Sequence, residues 1–190
     1  MNSFLKYKLD SAGIAAFVIG VLAIMGMNYV IYEFGNNDEF TASIVSEVII
    51  NIVATFFGAI SGGLTGFLGK VCADAACKQQ ILFGDAFSYG VIGIFVGQFA
   101  DKYLVREGKF EKKQILLWNA SDIMALIAAF IFVKPLIDYV VYDKDLFESL
   151  EGSLSIVFVC AIPVGILLTI LLFFLGLIIR FILSRQKADQ

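Results

Sequence analysis

The chain has 190 residues, 59% of them hydrophobic and only 16% charged, with a net charge of −3 and a mean hydropathy of +0.87. A soluble domain carries roughly 45–50% apolar and about 25% charged residues, so a water-soluble globule is excluded, as is a basic nucleic-acid-binding surface. Histidine is absent and Cys72, Cys77 and Cys160 match no zinc or redox spacing, so neither a metal site, a disulfide framework, a cofactor nor a catalytic residue is expected, and the cysteines read as small buried hydrophobes.

Apolar runs recur along the chain, giving one membrane domain over 1–190 and an all-α fold of six transmembrane helices near 11–32, 41–58, 61–76, 85–104, 115–134 and 153–183. The first run, Ala12 to Ile31, is long enough to span a bilayer. No small-residue cleavage site followed by a soluble domain comes after it, so it reads as a retained helix and not a signal peptide. Ala12, Ala16 and Gly20 lie four apart on one face, spacing that suits close helix approach within the bundle or against a partner subunit. The loop that follows, from Tyr32 to Phe40, mixes aromatics, amides and acids, and makes Phe34, Asn36 and Asn37 candidate ligand contacts.

In the second helix, Ser43, Glu47, Asn51 and Thr55 form a polar stripe at four-residue steps. Gly58 and Gly62 allow a tight reversal into a short, glycine-rich third helix, where Lys70 and Asp74 are spaced for an ion pair. A third segment that only re-enters the membrane would reduce the count to five helices. Gly69-Lys70-Val71 resembles the end of a phosphate-binding loop, but Leu64 and Val71 stand where that device needs Gly and Ser or Thr. The fourth helix carries Asp85 and Tyr89 near its start, then Gly93 and Gly97. The fifth carries Asn119 and Asp122. A long acidic loop from Lys134 to Gly152 contains Tyr139, Tyr142 and Phe147, and the last helix, about thirty residues long, contains Pro163.

Orientation follows from the cations. With the N-terminus inside, the inner segments hold ten of the fourteen basic residues, from Lys6 and Lys8 through Lys102, Arg106, Lys109, Lys112 and Lys113 to Arg180, Arg185 and Lys187. The outer segments hold Lys78, Lys134 and Lys144 against nine acids, so both termini are assigned to the cytoplasm. Polar groups inside spans are costly and usually functional. Glu47, Asn51, Lys70, Asp74, Asp85, Tyr89, Asp122 and Tyr142 therefore read either as a structural polar network or as the lining of a solute cavity open to the outside.

The order of these features resembles the substrate-binding S components of energy-coupling factor (ECF) vitamin transporters. Phe57-Gly58-Ala59-Ile60-Ser61-Gly62 through Gly66-Phe67-Leu68-Gly69-Lys70, with Asp74 following, is similar to that family's FGP-x-x-G-x-x-x-G-F-x-G-H-x-x-x-D run, with Ala59 for Pro and Lys70 for His. Ser88-Tyr89-Gly90 through Gly97, Glu107-Gly108-Lys109-Phe110, Trp118-Asn119, Pro135 to Asp138 and Tyr142 extend the likeness from about Thr41 to Ile170. The resemblance implies a cell-membrane subunit that binds a small water-soluble vitamin or precursor near the outer surface. The hydroxymethylpyrimidine or pyridoxine type is favoured and the riboflavin type is next. It implies partnership with a transmembrane coupling subunit and two cytoplasmic ATPase subunits, no catalysis by this chain, and a docking role for Ala12 and Ala16, with Gly20 on the same stripe. Lys70 in place of His suits a more acidic ligand or a pair with Asp74. The competing expectation from the residues is a stand-alone secondary transporter with Glu47, Asp74 or Asp122 as proton carriers.

Overall fold

The structure is a computed structural model that describes residues 10–35, 38–78 and 80–188. Lys6, Lys8, Asn36 and Asn37, and the side chains of Cys160 and Lys187, lie outside the described residues. The architecture is helical throughout: α1 (Ser11–Phe34), α2 (Glu39–Cys77), α3 (Phe83–Gly97), a one-turn α4 (Ala100–Tyr103), α5 (Lys112–Leu126), α6 (Lys134–Tyr142) and α7 (Leu146–Ala188). A π-helical stretch, Ile127–Val133, joins α5 to α6 without a break in direction. Four helical stretches are long and apolar enough to cross a membrane: α1, α2, Lys112–Tyr142 and α7. A shorter apolar helix is α3.

The second of these stretches is two arms. Gly58 leaves the helical region with φ 84 and ψ −175, a backbone state open to glycine at little cost. The contacts show that the chain reverses there. A Cβ built on Gly62 would lie 2.6 Å from the Ala54 Cβ, although eight residues along a straight helix span ~12 Å. At the far end, Lys78 reaches back to Glu39, where α2 begins, with Nζ to Oε1 at 2.8 Å. The arm 59–77 therefore rises ~28 Å antiparallel to the first arm.

α1 packs into this hairpin. Asn28 donates to Ser46 Oγ at 3.0 Å, and a Cβ on Gly20 would meet Val53 at 3.2 Å and Thr65 at 2.7 Å. Gly20 thus faces the interior, because both arms come too close for a side chain there, and it leaves the open stripe on which Ala12 is exposed and Ala16 half-buried. On the other side of the hairpin, the 59–77 arm meets α3 backbone to backbone. A Cβ on Gly62 would sit 2.8 Å from the Gly93 carbonyl oxygen, and one on Gly97 would meet the Gly58 and Ala59 backbone at 2.5 Å. Close approach through glycine is the packing available where lipid removes the hydrophobic drive between helices.

Two boundaries differ from the sequence reading. The fourth helix stops at Gly97 instead of near 104, because the chain turns beside Gly58 and passes through a left-handed Leu104, φ 55. The acidic stretch after Lys134 is not a long loop. Lys134–Tyr142 stays helical and α7 resumes at Leu146, leaving only 143–145 between them, with Asp143 left-handed at φ 53. α7 therefore starts well before 153 and carries Pro163 within it.

The alternation of direction places Asp10, Gly58, residues 98–111 and the Arg180 region at one end. Arg106 lies 5.3 Å over the Phe57 ring, and a Cβ on Gly108 would meet Arg180 at 2.7 Å. The opposite end gathers the end of α1, the start of α2, Lys78, residues 80–82 and the α6–α7 junction. The first end holds Lys102, Arg106, Lys109, Lys112, Lys113 and Arg180, and the second is rich in Asp and Glu.

The glycine seam yields a direct test. Gly93→Val puts branched carbons where the Gly62 carbonyl sits, and that backbone cannot rotate aside. Overpacking of this kind costs about 1–3 kcal/mol, so thermal unfolding of the detergent-purified protein moves down by several degrees. Gly26→Ala, at a position with nothing within 4 Å, leaves the midpoint unchanged or slightly raised.

Candidate functional site

At the acid-rich end the helices enclose a cavity of about 350 Å³. α1 contributes Tyr32, the start of α2 contributes Glu39, Phe40 and Ser43, and its second arm contributes Lys70. Lys78 and Leu82 come from the segment before α3, Asp85 from α3, Lys134 from α6, and Ser155 and Ile156 from α7. Nearly every long element thus supplies part of one wall.

Three ammonium groups converge here, each held by a carboxylate. Lys70 Nζ lies 3.1 Å from Asp74 Oδ1, both nearly inaccessible to solvent, and the expected four-residue ion pair is present. Asp74 also accepts the Leu82 N–H at 3.2 Å, tying the second arm of α2 to the turn that precedes α3. Tyr89 lies beneath the Lys70 ammonium, 5.8 Å from ring centroid to Nζ, and its ring meets Phe130 edge-on at 5.6 Å.

Lys134 holds Asp85 in a short contact and Asp138 at 3.4 Å. Ser149 at the start of α7 donates to Asp138 at 2.9 Å, so this cluster pins α3, α6 and α7 together. Lys78 bridges to Glu39 and stands 5.4 Å over the Tyr32 ring. Burial works against its charge, but the Glu39 carboxylate and the Tyr32 hydroxyl outweigh that and hold the ammonium above the ordinary lysine value. A raised value means that Lys78 is fully charged below 10.5 and loses its charge only as pH rises through the folded-state value, so the clasp persists throughout the neutral range. Asp38 caps α2, and its carboxyl is held below the usual range by the Thr41 hydroxyl and by the Thr41 and Phe40 N–H groups.

The residues expected to line a cavity divide into three groups. Lys70 and Asp85 are on its wall, and Asp74 sits directly behind Lys70. Glu47, Asn51 and Asp122 are fully buried and absent from the wall. Asn51 instead donates to Asp122 Oδ1 at 2.8 Å, and one turn further Trp118 donates to Thr55 at 2.9 Å. The polar stripe of the second helix is thus mainly a seam between α2 and α5. Tyr142 is used structurally: its hydroxyl accepts from the Phe83 N–H and donates to the Ile81 carbonyl, bonding α6 to the start of α3. Phe34 is 80% exposed at the end of α1, outside the cavity wall.

Sequence reasoning missed Lys134 and Lys78 as site residues, along with Tyr32, Glu39 and Ser43. The signal for Lys134 was present, since Lys134 and Asp138 have the same four-residue spacing that identified Lys70 and Asp74. A larger groove of about 480 Å³ runs outside α3 and the second arm of α2. Its walls, Ile60, Leu64, Phe67, Phe87, Val91 and Ile94 with Gln98 at one end, are apolar, which suits lipid and not a polar solute.

Removing Lys134 strands two carboxylates. Lys134→Met is expected to destabilise the protein by about 3 kcal/mol, the scale for breaking a largely buried pair, read as a lowered unfolding midpoint. Adding Asp85→Asn and Asp138→Asn restores most of the loss, since no uncompensated charge then remains. Failure of that rescue would show that the cluster does not act through charge.

The family model for the ECF-type riboflavin transporter S component matches residues 8–186. A UPF0397 protein of Lactobacillus helveticus is 32% identical over 108 residues, 55% of this chain and 58% of that protein. One from Clostridium perfringens is 29% identical over 132 residues, covering 65% and 66%. One from an Exiguobacterium species is 25% identical over 144 residues, covering 76% and 75%. The matched stretch thus spans between 58% and 75% of the length of these relatives. No solved structure matches the chain. The chain belongs to the ECF-type riboflavin transporter S component family, a family of membrane-embedded transport components and not of enzymes.

Proposed function

We propose that this chain is the high-affinity substrate-binding subunit of an ECF-type importer, taking up a small water-soluble vitamin or vitamin precursor. It crosses the membrane six times, as α1, the two arms of α2, α3, the continuous α5–α6 stretch and α7. Both termini are cytoplasmic and the cavity faces outward. The observation that carries this reading is the polar cavity at the end opposite the basic residues. Seven helical segments and turns were brought together there around aromatic and hydrogen-bonding groups, and the positive-inside rule directs that end outward. A volume of about 350 Å³ is at the small end of the ~300–1,000 Å³ range of ligand pockets, which favours a compact heterocycle of the hydroxymethylpyrimidine or pyridoxine type, with a riboflavin-type ligand next.

In this reading a transmembrane coupling subunit and two cytoplasmic ATPase subunits supply the energy, and the loaded site reorients because the coupling subunit binds one orientation more tightly than the other. The exposed face of α1 at Ala12, with Ala16 at its edge, is the docking surface, and Gly20 supports it from within the bundle.

Native mass spectrometry of the purified chain is expected to find one bound heterocyclic vitamin or precursor, and uptake in cells is expected to survive a protonophore but fail with inactive ATPase partners. Uptake that needs a proton gradient and no ATPase would instead support a secondary transporter. Ala12→Trp with Ala16→Trp is expected to reduce uptake at least tenfold while ligand affinity stays within twofold. Normal uptake at normal expression would remove the docking face from α1.

A further inference from the structure

Among the three lysines of the cavity, Lys78 differs in the kind of partner it has. Lys70 is balanced by Asp74, whose side chain is 1% exposed, and Lys134 by Asp85 and Asp138, at 16% and 6%. These carboxylates cannot leave without stranding a charge in a poorly solvated place. The ion-pair partner of Lys78 is Glu39, whose side chain is 71% exposed while the Lys78 side chain is only 16% exposed. Glu39 can turn into water because its own side chain is largely exposed, provided that another anion takes over the charge of Lys78. Lys78 would then present a largely desolvated ammonium to whatever fills the cavity.

The surroundings point to what that would be. The Tyr32 ring lies under Lys78 and Phe40 lines the same cavity, while Lys70 and Lys134 on its wall are already compensated by buried or half-buried carboxylates, which leaves Lys78 as the cation there that can exchange its partner. A flat ring can stack among the aromatics while an acidic group takes the place of Glu39. Resting on the reading of this cavity as the substrate site, we propose that Lys78 is an anion anchor, and that the ligand carries a carboxylate or phosphate that exchanges with the Glu39 carboxylate. The exchange makes and breaks no covalent bond. One carboxylate–ammonium contact replaces another, and Glu39 returns to solvent at the rim.

The test uses the full chain in lipid nanodiscs and neutral–acidic ligand pairs: riboflavin with riboflavin 5′-phosphate, pyridoxine with pyridoxine 5′-phosphate, and nicotinamide with nicotinate. Binding is measured by calorimetry, and protection of Lys78 from amine acylation by peptide mass spectrometry. The acidic member of at least one pair is expected to bind tenfold or more tighter than its neutral partner and to protect Lys78. A phosphate pair or the carboxylate pair responding alone identifies which acid is recognised. Lys78→Gln is expected to abolish that preference, so that the acidic and neutral members of the pair bind within twofold of each other, Lys78→Arg to keep it, and Glu39→Gln to strengthen acidic binding severalfold by removing the competitor. Equal binding of both members, with protection of the cavity lysines, would overturn the anion anchor and leave the cavity as the substrate site. Binding of a pair without protection of Lys70, Lys78 or Lys134, or no binding by any pair, would overturn the site reading and the anchor with it.

Discussion

Much of this fold depends on backbone meeting backbone between the second arm of α2 and α3. In lipid, leucine against leucine offers helices little reason to choose one another over the acyl chains, and van der Waals contact at short range has to supply the preference. Gly62, Gly66, Gly93 and Gly97 supply it by removing side chains from the contact. The same economy applies at Gly58, where one residue with φ 84 folds a 39-residue helix into two arms whose ends meet again at Glu39 and Lys78. Without that reversal Lys70 and Lys78 would not be at the same height as Tyr32, Phe40 and Lys134, and the cavity would have no second wall.

The charges at that end do a different job from the charges at the other. At the basic end Lys109 and Glu107 pair in the open, and the excess of Lys and Arg there is a matter of topology. At the acid-rich end, the lysines are drawn inside. Lys134 fastens α6 to α3, and Lys70 with Asp74 fastens the second arm of α2 to the turn before α3. These bonds hold α3 in place, since its 15 residues are too few for hydrophobic length alone to fix its depth. Burying such pairs adds little net stability, but it makes one arrangement of the helices much better than its neighbours.

How much of this was legible in the sequence can be seen residue by residue. Periodicity and glycine spacing were enough to locate α1, the reversal near Gly58 and the two arms beside it, because those features are local. Lys70 and Asp74 were legible as a pair for the same reason, being one turn apart. The end of α3 at Gly97 was not, because Phe99 and Ala100 carry the apolar pattern past it, and what stops the helix is the packing of Gly97 against Gly58, a contact between residues 39 apart. The acidic stretch after Lys134 looked like a loop because Asp and Glu are dense there, yet Asp138 is paired inward with Lys134 and Ser149, and the helix continues. The polar stripe of α2 was legible as a stripe, but whether it faced a ligand or another helix depended on α5, 71 residues away, placing Asp122 opposite Asn51.

That last point sharpens what the interior is built to do. The Asn51–Asp122 and Thr55–Trp118 bonds lie buried between α2 and α5, and none of these four residues is on the cavity wall. A polar solute entering from the acid-rich end therefore meets the polar groups of the cavity wall, Lys70, Lys78, Asp85 and Lys134 among them, and not the α2–α5 seam. An open polar path through the bundle would need those bonds to be exchanged one after another for bonds to the solute, and each would be broken in a place where water cannot compensate. The arrangement suits a site that holds its ligand at one depth and moves with it, better than one that passes the ligand through a fixed frame.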